Sequence, residues 1–428
     1  MIKVEEKKIP QHNLKTEKFL SPKKLYLPLK QHIGAVSKEI VKVGEEIEEG
    51  QVLAEAGGKV SSCLHSPKKG KVVSIDYFNH PNLGREKAIV IECKEEEKKY
   101  FERENVNQLS CDDLLRIIKE AGIVGMGGAG FPTYVKLNSP KRIDTLIING
   151  CECEPYLAGD YRLMVENIEG ILKGIEIIAK IIKPERIFFC VEDNKPEAIK
   201  KINSILALKK YRLPSTQLIV LKSAYPQGGE KQLIYKVTRR KVPPQGLPFD
   251  VGCLVHNVAT CFSIYEAVYF SKPLIERIVT FAGDALESPK NLWVKIGTLV
   301  SELFERGILK FKKEPKKVIF GGPMMGIALK NLDYPILKTT GGVLFLSDEV
   351  DFEEEKNCLH CARCVDVCPM GLVPLEFVKY VKNKEYDRLN DIFIKDCIEC
   401  GMCSFICPAK IPIVHYIKIG KFYATGSK

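Results

Sequence analysis

No apolar run in this chain approaches the roughly 18 residues that a membrane span requires, and the mean hydropathy is −0.07. A transmembrane segment is therefore not expected. The opening residues MIKVEEKKIP hold no hydrophobic h-region, so a secretory leader is not expected either. Charge is not concentrated: 65 Lys and Arg against 54 Asp and Glu leave +11, but the lysines are interleaved with glutamates (EEEKK, KKEPKK). Without a basic block or an aromatic-basic pattern, nucleic acid is not an expected partner. A GxxxxGK[ST] loop is also missing, which argues against a Walker-type nucleotide site.

Cysteine, by contrast, is abundant: sixteen in 428 residues. That length suggests about three domains, and 45% apolar residues suffice for packed cores. In a long chain without a leader, metal or redox chemistry explains such cysteine usage better than disulfides. Eight of the sixteen fall between 358 and 407. The others (Cys63, Cys93, Cys111, Cys151, Cys153, Cys190, Cys253, Cys261) are scattered and are expected to be core residues. Cys151 and Cys153 form a C-x-C with no evident third ligand.

The C-terminal eight form two runs of C-x2-C-x2-C-x3-C-P, at Cys358, Cys361, Cys364, Cys368 and at Cys397, Cys400, Cys403, Cys407. This is the bacterial two-[4Fe–4S] ferredoxin spacing, in which the fourth Cys of each run serves the other cluster. The predicted ligand sets are Cys358, Cys361, Cys364 and Cys407 for one cluster, and Cys397, Cys400, Cys403 and Cys368 for the other. Structural zinc, the competing explanation, usually takes two separated C-x2-C pairs.

Upstream, residues 26–77 alternate apolar and polar positions around turns, an all-β pattern. From 112 to 270 strands (DTLIIN, RIFFCV, QLIVLKS) alternate with helical segments, as in a parallel sheet with crossovers. Residues 271–325 read as strand, turn, helix and strand, the helix over WVKIGTLVSELFERG. Between 122 and 130 lie five glycines in nine residues, a loop whose N–H groups can approach a phosphate. The strand DTLIIN runs into GCECEP, and ligands of open α/β sheets sit outside strand carboxyl ends. Glu152 and Glu154 are placed there to accept hydrogen bonds from a ribityl chain or ribose. A lone His is by default a packing or surface residue, and His65, His360 and His415 are read so.

GIVGMGGAGFPTYVK resembles the flavin-binding loop of the NADH-oxidising flavoprotein subunit of respiratory complex I. INGCECEP, AYPQGGEKQLIYKV and CLVHNVATCFSI resemble three further segments of that family, in the same order. With the cluster motifs downstream and the β-rich region upstream, the chain resembles the C subunit of the Rnf electron-transport complex over nearly its whole length. The resemblance implies a multidomain α/β and α+β protein. Residues 1–98 would form a barrel-sandwich hybrid, and 105–270 a Rossmann-like FMN/NADH domain. Residues 271–350 would form a soluble-ligand-binding β-grasp domain with a connector, and 351–428 a helical ferredoxin-type domain. It further implies FMN held by Gly125, Gly127, Gly128, Lys136, Asn149, Glu152, Tyr225, Gly228, Asn257 and Thr260. NAD(H) would meet Phe131, Glu154 and Glu230. Met126, Cys151, Cys153, Gly229 and His256 depart from the complex I pattern.

Lys68 or Lys69 could be pictured as a carrier lysine of the barrel-sandwich module, but neither lies in a carrier-type hairpin, so a docking role is expected. The glycines of FGGPMMG (Gly321, Gly322, Gly326) are expected at a tight domain junction. The implied role is electron transfer between NAD(H) and ferredoxin-fed membrane partners. Other subunits would move Na+ or H+, and the chain would be peripheral on the cytoplasmic face of the bacterial inner membrane. No side chain is expected to act as catalytic acid or base. Two alternatives stay open: a soluble flavin/iron–sulfur cobalamin reductase, and a cluster-bearing relay with an inactive flavin site.

Overall fold

The computed structural model describes residues 3–96, 98–348 and 354–424. Its centre is a four-stranded parallel sheet in the order Ser215–Leu221, Arg186–Glu192, Thr145–Gly150, Cys253–Asn257. The middle strand, TLIING, is buried along almost its whole length, as expected of a parallel sheet covered on both faces. Helices Ile168–Ile182 and Val258–Phe270 pack together on it. Helix Cys111–Glu120 starts at a capping box between Ser110 and Asp113 and delivers the chain into the glycine-rich loop. Every strand of this sheet ends on the same side, and there the candidate site lies.

The N-terminal module is built from two antiparallel sheets. One runs Lys24–Pro28, Gly84–Cys93, Gly70–His80, Glu46–Ile47, and the other Lys38–Glu39, Val52–Glu55, Leu64–His65. This is the sandwich expected of residues 26–77. Lys68 is fully buried and Lys69 pairs with Glu48 at 3.4 Å and Glu96 at 2.7 Å, so neither stands on an exposed carrier hairpin.

A six-stranded mixed sheet follows: Thr16–Phe19, Lys290–Lys295, Glu276–Ala282, Gly342–Leu346, Lys317–Phe320, Ile327–Leu329. Two features depart from the sequence reading. Trp293–Lys295 finish a strand and the helix is only Val300–Glu305. And Thr16–Phe19, within the span read as the first module, is an edge strand paired in parallel with Asn291–Val294. A four-residue strand whose partner lies some 270 positions away leaves no local trace of its sheet.

The C-terminal unit is helical. Pro374–Lys382 and Ile413–Ala424 enclose a small core of Phe377, Leu389, Ile394 and Ile417, with Cys403 among them. Among the described residues no helix is long and apolar enough to cross a membrane. The start of the ferredoxin span, residues 351–353, lies outside the described residues.

Candidate flavin and iron–sulfur site

The expected flavin residues come from four separate segments, and the fold brings them to the carboxyl end of the parallel sheet. In the glycine-rich loop, Gly125 donates to the carbonyl of Phe131 at 2.8 Å. The Met126 N–H donates to Thr260 Oγ1 at 3.0 Å. Met126, where complex I carries an arginine, turns its side chain into the core with its sulfur 3.1 Å from Ser263 Oγ. Among the described residues the N–H groups of Gly127, Gly128 and Ala129 have no acceptor, and these three residues are exposed. Such free donors on a glycine loop fit a phosphate.

Asn149 joins two of the other segments. Its Nδ2 donates to the Gly228 carbonyl at 2.9 Å, and its Oδ1 accepts from the Cys151 N–H at 3.1 Å. Asn257 caps helix Val258–Phe270 through the N–H groups of Ala259 and Thr260. Its Nδ2 donates to Asp160 at 2.6 Å. Glu152 sits at φ +47°, a conformation unfavourable for a non-glycine residue. Its carboxylate accepts from the N–H groups of Asp160 at 2.8 Å and Tyr161 at 3.1 Å. Lys136 and Glu230, expected on FMN and on NAD, are ion-paired at 2.6 Å. Phe131 is half-buried and follows the glycine loop directly.

Several buried polar atoms around this sheet end lack partners: Thr133 Oγ1, His256 Nε2, Gln227 Nε2 and Glu192 Oε1. Buried polar groups are normally satisfied, so unmet donors and acceptors around the rim of one sheet end fit a polar cofactor. The residues present therefore suit FMN.

Glu154 is held differently. Its carboxylate accepts from the N–H groups of Met324 at 3.1 Å and Met325 at 2.8 Å, and burial pushes it up to about 7. A Cβ on Gly322 would collide with that carboxylate. The FGGPMMG loop is thus the tight junction expected of it, with Glu154 as its anchor.

Three residues outside the expected set hold the pocket. Asp160 is half-buried, and desolvation together with the Glu152 charge raises its carboxyl. It joins the Glu152 turn to Asn257. Lys338, fully buried, donates to the carbonyls of Cys63 and Gly122, both at 2.7 Å. It pins the start of the glycine loop to the N-terminal module, and burial lowers its ammonium to about 7. Gly122 has φ +66° and a Cβ there would strike the Cys63 carbonyl, so only glycine fits. Lys8 is the third and reaches the Glu152 carbonyl. No motif marks Lys8, Asp160 or Lys338, because each acts through partners distant in sequence.

The cluster cysteines divide by environment. Cys368, Cys397, Cys400 and Cys403 line one apolar cavity with Phe377, Met402 and Ile417. Burial raises the Cys400 and Cys403 thiols, and the neighbouring Cys368 adds to the rise. Cys407 does the same to Cys364. Both relations cross between the two runs. Cys358 and Cys361 are exposed. Among the described residues no three Cys, His, Asp or Glu approach closely enough to share one metal ion. Of the scattered cysteines, Cys151, Cys190, Cys253 and Cys261 are buried and the other four half-buried.

The two sites touch. Tyr225, buried on the flavin side, donates its hydroxyl to the Cys400 carbonyl at 2.8 Å, and Cys153, Val4, Met324 and Ile398 pack around the pair. Gly401 makes the approach possible: its φ is +81° and a Cβ would strike the Met324 carbonyl.

Residues 118–266 match the Nuo51 FMN-binding domain, 2–96 the RnfC barrel sandwich hybrid domain, and 351–408 a 4Fe-4S dicluster domain. The C subunit of the proton-translocating ferredoxin:NAD(+) oxidoreductase complex of Clostridium ljungdahlii is 44% identical over 82% of this chain and 77% of its own length. The chain belongs to the family of C subunits of ion-translocating oxidoreductase complexes. Two further members are the corresponding proteins of Pectobacterium carotovorum and Pseudomonas aeruginosa, each 40% identical over 93% and 92% of this chain. The chain spans about half the length of these two, 53% and 51%. As a member of this family, it carries the FMN-binding and dicluster domains of an electron-transfer oxidoreductase.

Proposed function

We propose that this protein passes electrons between NAD(H) and membrane-bound partners of its complex, through FMN and then two [4Fe–4S] clusters. The carrying observation is the hydrogen bond from Tyr225 to the Cys400 carbonyl. It ties the flavin pocket to one cysteine set and makes Cys368, Cys397, Cys400 and Cys403 the inner relay position. The exposed Cys358 and Cys361, with Cys364 and Cys407, then form the outer position that faces a partner.

FMN supplies the exchange between two-electron hydride chemistry and one-electron cluster chemistry. The chain's residues bind and orient. Gly125, Gly127, Gly128 and Lys136 form the phosphate side of the pocket. Asn149, Glu152, Tyr225, Gly228, Asn257 and Thr260 fix the rest. Phe131 and Glu230 border the dinucleotide, and Glu154 contributes by holding the junction beside it. Cys403 and the surrounding apolar side chains keep water from the inner cluster. No acid or base is needed on the chain.

The names of the relatives favour a component of a membrane complex over a soluble cobalamin reductase. They also support a ferredoxin-fed route and ion translocation by the complex; a place on the cytoplasmic face of the inner membrane is part of the proposal. The test is anaerobic purification. The expected preparation holds FMN with about eight iron per chain, and NADH bleaches its flavin. Iron and sulfide without FMN, or no response to NADH, would overturn the reading.

A further inference from the structure

We propose that the N-terminal strap, residues 4–12, is part of the flavin pocket, and that Lys8 is a positioning residue for Glu152. The proposal rests on the flavin reading above. The strap precedes the first strand of the sandwich, Lys24–Pro28, yet it packs across the carboxyl ends of the flavin sheet. The Glu6 carbonyl accepts from the Tyr156 N–H at 2.8 Å. The His12 carbonyl accepts from Arg162 at 3.0 Å, and the His12 ring lies 4.3 Å from that of Tyr161. Val4 packs in the group formed by Tyr225, Cys400 and Met402. Asn291, in the six-stranded sheet, donates to the Gln11 carbonyl at 2.8 Å.

Lys8 is the feature a simple cover would not contain. Its side chain is almost wholly buried, at 2% exposure, although a lysine on a surface strap can usually carry its ammonium to water. Taking an ammonium out of water is unfavourable without compensation. Burial does lower it, with Lys195 adding repulsion and the Glu152 and Glu192 carboxylates and the Cys153 thiol opposing. What the burial achieves is a donor aimed at the Glu152 carbonyl. Glu152 sits in the left-handed region at φ +47°, a conformation that persists only when its surroundings hold it. The carboxylate is fixed by two N–H groups from Asp160 and Tyr161, and Lys8 fixes the backbone end. With both ends held, the turn presents one conformation to FMN. Without Lys8 it can relax toward an ordinary backbone region and carry its carboxylate away.

The experiment compares Lys8→Met and Asn291→Ala in the full chain with clusters intact. FMN affinity, the midpoint potential of the bound flavin, iron content and melting temperature are read for each. Both variants loosen the strap, but only Lys8→Met removes the hold on Glu152. Lys8→Met is expected to weaken FMN binding at least about tenfold and to shift the flavin potential, with iron content unchanged. Asn291→Ala is expected to lower the melting temperature while leaving affinity within about twofold and the potential in place. Should Lys8→Met lose its clusters, the same readouts are taken on Lys8→Gln. Flavin affinity and potential unchanged in the Lys8 variants, or changed equally by Asn291→Ala, would overturn the proposal alone. A wild-type chain that binds no FMN would overturn the flavin reading and this proposal with it.

Discussion

The cluster domain and the flavin pocket are built in opposite ways. Each expected cluster set takes three of its four cysteines from a stretch of seven residues. The pocket draws on segments around 122–136, 149–160, 225–230 and 256–260, and is braced by Lys8 and Lys338 from still further away. The contrast teaches where each site is vulnerable. A locally written ligand loop can be judged by its own residues. An assembled pocket depends on side chains that touch no ligand. Within the cluster domain a second difference appears: two runs with identical spacing have unlike surroundings, one exposed at Cys358 and Cys361, the other closed in at Cys400 and Cys403.

The largest effect tests that inner difference. Cys403→Ser is expected to lose the inner cluster, lowering iron from about eight to about four per chain. It should also destabilise the helical domain, because Cys403 lies in its core. Cys361→Ser should lose the outer cluster and leave the melting temperature nearly unchanged. Iron analysis with calorimetry checks both, and equal melting temperatures would mean that the motif alone governs.

Next, Lys338→Met should weaken FMN binding by about tenfold while leaving the iron content intact, since it frees the Gly122 carbonyl far from any cluster cysteine. Iron loss alongside flavin loss would show that the two sites are not independently built. Tyr225→Phe should do less. It removes one buried hydrogen bond, worth about 1 kcal/mol, and is expected to slow flavin-to-cluster transfer in rapid-mixing measurements with both cofactors retained.

The last expectation is a pH slope. Lys338 falls from 10.5 to about 7 in the folded chain. Between those values the unfolded chain holds the proton and the folded chain does not, so stability from this group rises with pH from about 7 toward 10. Below about 7 the folded chain carries the buried charge. Lys338→Met should flatten the rise, seen as a change in melting temperature across that window.

Much of this was readable before any fold. The strands around Thr145–Gly150, Arg186–Glu192 and Ser215–Leu221 announced themselves by apolar runs between helical segments. The glycine loop, with the turns at Asn149 and Tyr225, marked the pocket by motif. Other features were silent. Thr16–Phe19 pairs with a distant strand, so its membership of the six-stranded sheet has no local signature. Trp293–Lys295 read as the start of a helix because a short strand and a short helix share one apolar run. Glu154 looked like a ligand-facing acid, yet its carboxylate holds the Met324 and Met325 N–H groups, a contact set by the junction rather than by GCECEP.

Spacing alone predicts the cluster ligands and their interleaving, because the corners of a cubane constrain neighbouring residues directly. Only the folded chain distinguishes the two cysteine runs, because there the Gly401 loop meets the Met324 backbone and Tyr225 reaches Cys400. The same holds for Lys8, Asp160 and Lys338. Burial and hydrogen bonding give them their roles, and neither exists until segments far apart in the chain have packed together.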